Sequence, residues 1–132
     1  MDAKGHLLLL DDEEAILVPT AAYFSALGFT VDVTREADEA LALVRGRHYD
    51  LAILDLRVGP FGETGGLEVL REVRQRRHPT SVIVLSAYVS PEVEAEARAL
   101  GADGILRKPQ SLKDVAHLGL ILTERAARER GQ

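Results

Sequence analysis

The sequence predicts an α/β domain, (βα)5 and doubly wound, in which a five-stranded parallel sheet is covered by helices on both faces. Two observations predict it. Short aliphatic runs alternate with longer amphipathic stretches along the whole chain, and those runs are too continuous in apolar residues to leave one sheet face wet.

The strands read as His6–Leu10, Thr30–Val33, Leu51–Leu54, Ser81–Leu85 and Gly104–Leu106, with β-branched residues prominent in several. Between them lie apolar positions at helical spacing. The first helix carries Ala15, Leu17, Ala21, Phe24 and Leu27, and the second Ala37, Ala40, Leu41 and Val44. The third carries Leu67, Leu70 and Val73, and the fourth Val93, Ala97 and Leu100. A fifth helix is expected from about Leu112 to Arg128, with Leu112, Val115, Leu118, Ile121 and Leu122 as its buried stripe. Leu27-Gly28 and Leu100-Gly101 read as helix ends closed by glycine, and Ser90-Pro91 as an N-cap followed by proline. Ser111 is placed to cap the last helix, with Asp114 reaching back toward it. Pro19 falls inside the first helical pattern and predicts a kink or a late helix start. By analogy with other open sheets of this kind, the flavodoxin-like strand order 2-1-3-4-5 is expected.

At 132 residues the chain has the length of one domain, 1–132, with a core over about 6–122 and a polar, fraying end at 124–132. The hydrophobic content of 46% and charged content of 28% are those of a globular protein. Absence of cysteine excludes disulfides and thiolate metal sites. A net charge of −5 argues against direct nucleic-acid binding, which needs a basic surface. The longest apolar runs are too short to span a bilayer, and the N-terminus has no signal-like core, so a cytoplasmic protein without membrane contact is expected. His6, His48, His78 and His117 show no metal-ligand spacing, and Arg74–His78 reads as the solvated end of a helix.

In an open parallel sheet, ligands sit beyond the carboxyl ends of the strands. Strand 1 delivers Asp11 and Asp12 there, strand 3 Asp55, strand 4 Ser86, and strand 5 Lys108 and Pro109. Carboxylates packed together repel, and a hard divalent cation such as Mg2+ is the simplest resolution. Lys108 then faces a phosphoryl oxygen, Ser86 bonds another, and one carboxylate remains as a nucleophile able to form an acyl phosphate. Taken singly each residue is more often a solvated turn or loop group; their joint placement carries the reading.

At these residues the sequence resembles the receiver domains of two-component response regulators. The resemblance runs from about His6 to Leu122. It rests on L-L-L-L-D-D-E-E at Leu7–Glu14, D-L-A-I-L-D-L-R at Asp50–Arg57, V-I-V-L-S-A-Y at Val82–Tyr88 and G-A-D-G-I-L-R-K-P at Gly101–Pro109. It implies Asp55 as phosphoacceptor, with Asp12 on Mg2+ directly, Asp11 mainly through water, and the backbone carbonyl of Arg57 as a further ligand. It implies Ser86 as the switch hydroxyl, Lys108 as the partner of the phosphoryl group, and a cis bond before Pro109. The implied donor is a histidine kinase or phosphotransfer protein. The recipient is an output domain or effector protein, and phosphorylation-driven homodimerisation through the last helix is open.

Two departures stand out. The usual aromatic residue three positions before the lysine is Ile105 here, and Tyr88 is an alternative aromatic element. The stretch Arg57–Gly66 is longer and richer in glycine than the usual loop, with Gly66 as the matching glycine and Phe61 as a candidate contact or lid. A phosphorylation-independent, receiver-like interaction module is the alternative function. An aspartate-nucleophile phosphatase fits poorly, because Arg57 stands where such enzymes carry their acid-base aspartate. The chain is therefore expected to be a switch and not an enzyme.

Overall fold

The structure is a computed structural model that describes residues 4–58, 64–76 and 79–131, apart from the side chain of Thr64. Strands and helices alternate as β1 (Gly5–Leu10), α1 (Glu14–Leu27), β2 (Phe29–Thr34), α2 (Ala37–Gly46), β3 (Leu51–Leu54), α3 (Thr64–Gln75), β4 (Ser81–Ser86), α4 (Pro91–Ala99), β5 (Gly104–Arg107) and α5 (Leu112–Gly131). The strands form one sheet in the order β2-β1-β3-β4-β5, and every neighbouring pair is parallel.

Period-two alternation splits the aliphatic runs into two cores. Leu7, Leu9, Leu51, Ile53, Ile83 and Leu85 pack with Leu17 and Phe24 of α1 and Val115 and Leu122 of α5. Their neighbours Leu8, Leu10, Ala52, Leu54, Val82 and Val84 pack on the other face with residues of α2, α3 and α4. Both faces being dry explains why the strands read as unbroken apolar runs.

The punctuation holds. Gly28 closes α1 at φ 109°, and Gly101 follows α4 at φ 94°, a left-handed conformation open to glycine. Ser90 caps α4 by accepting the Val93 N–H at 3.2 Å, with Pro91 opening the helix. Ser111 Oγ accepts the backbone N–H of Asp114 at 3.0 Å.

Several expectations need correction. Helix α1 starts at Glu14, not late, and runs through Pro19. Ala15 and Pro19 are both exposed, so the carbonyl deprived of its donor lies on the wet side of the helix. Ala15 is off the buried face; Thr20 occupies it, one turn from Leu17 and from Phe24. In α5 the buried stripe is Val115, Ala116, Gly119 and Leu122, which leaves Ile121 exposed one position off. This helix continues past Arg128 to Gly131, so the polar end belongs to it, three residues further than the expected end. Helix α3 begins at Thr64, so Thr64–Gly66 are helical and not loop; Phe61 and His78 lie outside the described residues. Among the described residues, no helix is long and apolar enough to cross a membrane.

Candidate functional site

Parallel strands end on one edge, and main-chain bonds just past those ends fix the residues that follow. Asp11 N–H donates to the Thr34 carbonyl at 3.1 Å, Asp55 N–H to Leu10 at 2.9 Å, and Lys108 N–H to Ser86 at 2.8 Å. Asp11, Asp55, Ser86 and Lys108 are thus set by sheet register before any side-chain bond forms.

The side chains then converge. Asp55 Oδ1 accepts the Ser86 hydroxyl at 2.6 Å and the Arg57 N–H at 3.0 Å, while Oδ2 accepts Lys108 Nζ at 3.0 Å. Ser86 Oγ also accepts the Leu56 N–H at 2.9 Å. Asp11 Oδ1 accepts the Glu13 N–H at 2.9 Å, and its Oδ2 lies 2.8 Å from Lys108 Nζ. Lys108 reaches a third carboxylate, Glu13 Oε1, at 2.8 Å. Asp11 and Asp55 are buried, at 2% and 5% exposure, and Ser86 is fully so, while Asp12 is exposed.

Oxygens of Asp11, Asp12 and Asp55 all lie within 4.8 Å of one another. This all-oxygen, carboxylate-rich set suits a hard divalent cation. Electrostatics point the same way. Burial pushes the Asp11 carboxyl above its ordinary value, and its hydrogen bond to Lys108 offsets this only in part. Burial also works against the Lys108 charge, but hydrogen bonds to Asp11, Glu13 and Asp55 outweigh it and hold the ammonium above the ordinary lysine value. Among the described residues, Lys108 meets the carboxylates of Asp11, Glu13 and Asp55, with Asp12 close to Asp11 and Asp55, so negative charge is left over.

Gly66 is a close-approach position. A Cβ there would sit 2.5 Å from the Asp55 carbonyl oxygen and from the Leu56 Cα, so a side chain would push α3 off the end of β3. The Lys108-Pro109 bond is cis. Arg57 takes part through its backbone N–H, and its side chain is exposed. The two switch candidates lie elsewhere: Ile105 packs half-buried against the core under α2–α4, and Tyr88 is 50% exposed. The buried apolar anchor of the β4–α4 connection is Val89, which the sequence pattern did not single out. Glu13 was also missed; its only signal was a further acidic residue in the run after β1. An apolar cleft at the opposite end of the sheet contains none of these residues.

The family model for the response regulator receiver domain matches residues 7–118. The chain belongs to this family. The receiver is 35% identical over 109 residues to the acid tolerance regulatory protein ActR of Sinorhizobium medicae, covering 83% of this chain and 55% of that protein. It is 34% identical over 110 residues to the alginate biosynthesis transcriptional regulatory protein AlgB of Pseudomonas aeruginosa, covering 83% of this chain and 24% of that one. The chain thus spans about half the length of ActR and about a quarter of AlgB. Among solved structures, it is similar to a CheY-like receiver domain protein from Methanospirillum hungatei, with TM-score 0.87 and 25% identity over 94% of this chain and 97% of that one. It also resembles a Burkholderia pseudomallei response regulator described with a phosphorylated aspartic acid and a calcium ion, with TM-score 0.78 and 25% identity, covering 97% of this chain and 73% of that one.

Proposed function

We propose that this receiver is a phosphorylation-driven switch whose acceptor is Asp55. The observation that carries the reading is a buried carboxylate bonded on one oxygen to Ser86 and on the other to Lys108, with the oxygens of Asp11 and Asp12 within 4.8 Å. An Asp55 oxygen attacks phosphorus in a phosphohistidine of a histidine kinase or phosphotransfer protein. The P–O bond forms, the P–N bond breaks, and the imidazole leaves with its electron pair and takes up a proton. Lys108 neutralises charge on the transferring oxygens, and Ser86 donates to one of them after transfer.

Asp12, Asp55 and the Arg57 carbonyl would hold Mg2+ directly and Asp11 through water. The ion supplies charge neutralisation at the phosphoryl oxygens. The calcium ion and phosphorylated aspartate of the Burkholderia neighbour support this assignment.

The partner class also has structural support. Past Glu14, helix α1, which starts just after Asp11 and Asp12, carries no charged side chain, yet Val18, Pro19, Ala22 and Tyr23 are exposed, a face suited to a protein donor. The receiver acts as a signalling switch and not as an enzyme, because the group it accepts stays on its own side chain. Its downstream partner is an output domain or effector protein in the cytoplasm, with homodimerisation through α5 as a further possibility. The net charge of −5 supports a domain that does not itself bind nucleic acid.

The test is incubation with acetyl phosphate and Mg2+ followed by intact mass. One phosphoryl group should be gained and lost again in alkali, and Asp55→Asn should gain none. A folded protein that stays unmodified would favour the phosphorylation-independent interaction module.

A further inference from the structure

Among the described residues Lys108 has three carboxylate partners, and they are not equivalent. Asp11 and Asp55, at 2.8 Å and 3.0 Å, belong to the group that the receiver reading assigns to cation and phosphoryl binding. Glu13, at 2.8 Å, lies outside that group. Its side chain is 59% exposed while that of Lys108 is only 9% exposed, so the carboxylate meets the ammonium from the solvent side of the site.

The main chain holds Glu13 in this place. It is the N-cap residue of α1, with extended backbone at φ −95° and ψ 109°. Its N–H is fixed on Asp11 Oδ1 at 2.9 Å, and its carbonyl accepts the N–H groups of Ile16 and Leu17, both at 3.0 Å. Asp11, Glu13 and Lys108 therefore close a ring in which both carboxylates hold one ammonium.

We propose that Glu13 is a positioning residue that latches Lys108 and competes with the incoming phosphoryl group for it. The latch rests on the receiver reading. When Asp11 and Asp55 commit oxygens to a cation and to phosphorus, Glu13 remains as the acceptor still free to hold Lys108. A phosphoryl oxygen must then share or displace that contact, and Glu13 sets how readily the lysine turns.

Two variants separate contact from charge. Glu13→Gln keeps the length of the side chain and removes its charge. Glu13→Asp keeps the charge and suits the N-cap position, where the Glu13 side chain makes no cap bond of its own, but is one methylene too short to hold the contact. Both should phosphorylate faster with acetyl phosphate and Mg2+ than wild type, by about two- to fivefold, the range expected for an exposed ion pair. The gain should persist at high salt. In metal-free protein, the Lys108 Nζ resonance should move in both variants, which loss of a main-chain cap would not cause.

A Glu13→Asp protein that matches wild type in rate and in Nζ resonance overturns the latch and leaves only long-range charge. A Glu13→Gln protein no faster than wild type overturns it as well. If wild type itself gains no phosphoryl group, the receiver reading fails. The Nζ resonance then decides the contact alone: movement in both variants upholds it, and an unmoved signal removes it.

Discussion

The two ends of the same sheet handle buried polar groups in opposite ways. At the amino end, Arg74 donates to the carbonyls of Thr80 at 2.7 Å and Gly101 at 2.5 Å, and to Asp103 at 3.0 Å. Asp103 in turn accepts the Val82 N–H at 2.8 Å. Tyr49 donates to Asp32 at 2.7 Å, and Arg47 meets the same carboxylate at 2.8 Å. Apart from the buried Arg74 Nε, which has no partner among the described residues, donors and acceptors there are matched and tie loops to strands. At the carboxyl end, Lys108 is, among the described residues, the one cation among Asp11, Glu13 and Asp55, with Asp12 beside them. Folding has no use for such a surplus of negative charge. A surplus held in place by register is what a cation and a phosphoryl group require.

This contrast can be broken by experiment. The largest effect is expected at the amino end. Arg74→Ala strips bonds from two carbonyls and from Asp103, and should destabilise the fold by about 2–4 kcal/mol in urea unfolding. The folded fraction should still accept phosphate at the wild-type rate. An Arg74→Ala protein of wild-type stability would show that the balance there is incidental.

At the carboxyl end, Mg2+ should stabilise the protein by about 2.7 kcal/mol at a hundredfold excess over its dissociation constant. Asp12→Ala should lose most of that gain while remaining folded without metal, because Asp12 is exposed. Equal stabilisation of both proteins, read as a shift in Tm, would remove the cation from the site.

The smallest effect is a change of sign. The Asp11 carboxyl is raised from 3.8 by burial, so the folded state binds its proton more tightly than the unfolded chain does. The stability it confers is present below the ordinary value and lost as pH rises through the raised one. Without metal, Asp11→Asn should therefore be more stable than wild type near neutral pH, and the gap should close as pH falls below 3.8. A variant less stable at neutral pH would mean that the bond to Lys108 outweighs desolvation.

Much of this was legible in the residues. Strands buried on both faces write themselves as runs such as Leu7–Leu10 and Leu51–Leu54, and a parallel sheet then puts Asp11, Asp55, Ser86 and Lys108 on one edge. What escaped was polarity that depends on a partner far along the chain. Arg74 looks like a solvated helix end within R-Q-R-R-H, yet it is half-buried against residues up to 29 positions away. Glu13 looks like a helix-start acid, and its partner lies 95 residues on. Ala15 and Ile121 were misplaced for a simpler reason: apolar residues crowd α1 and the middle of α5, so composition does not single out the inner face.

Ser86 has a consequence for how fast any signal could be set or cleared. Its oxygen accepts a hydrogen bond from the Leu56 amide while its own hydroxyl donates to Asp55. A hydroxyl that swings toward a third acceptor lets go of that amide, and a stranded buried N–H costs about 1–3 kcal/mol. The resting arrangement is thus self-restoring, like a sprung key. Each excursion is opposed by the amide that follows β3, which regains its partner only when the hydroxyl returns.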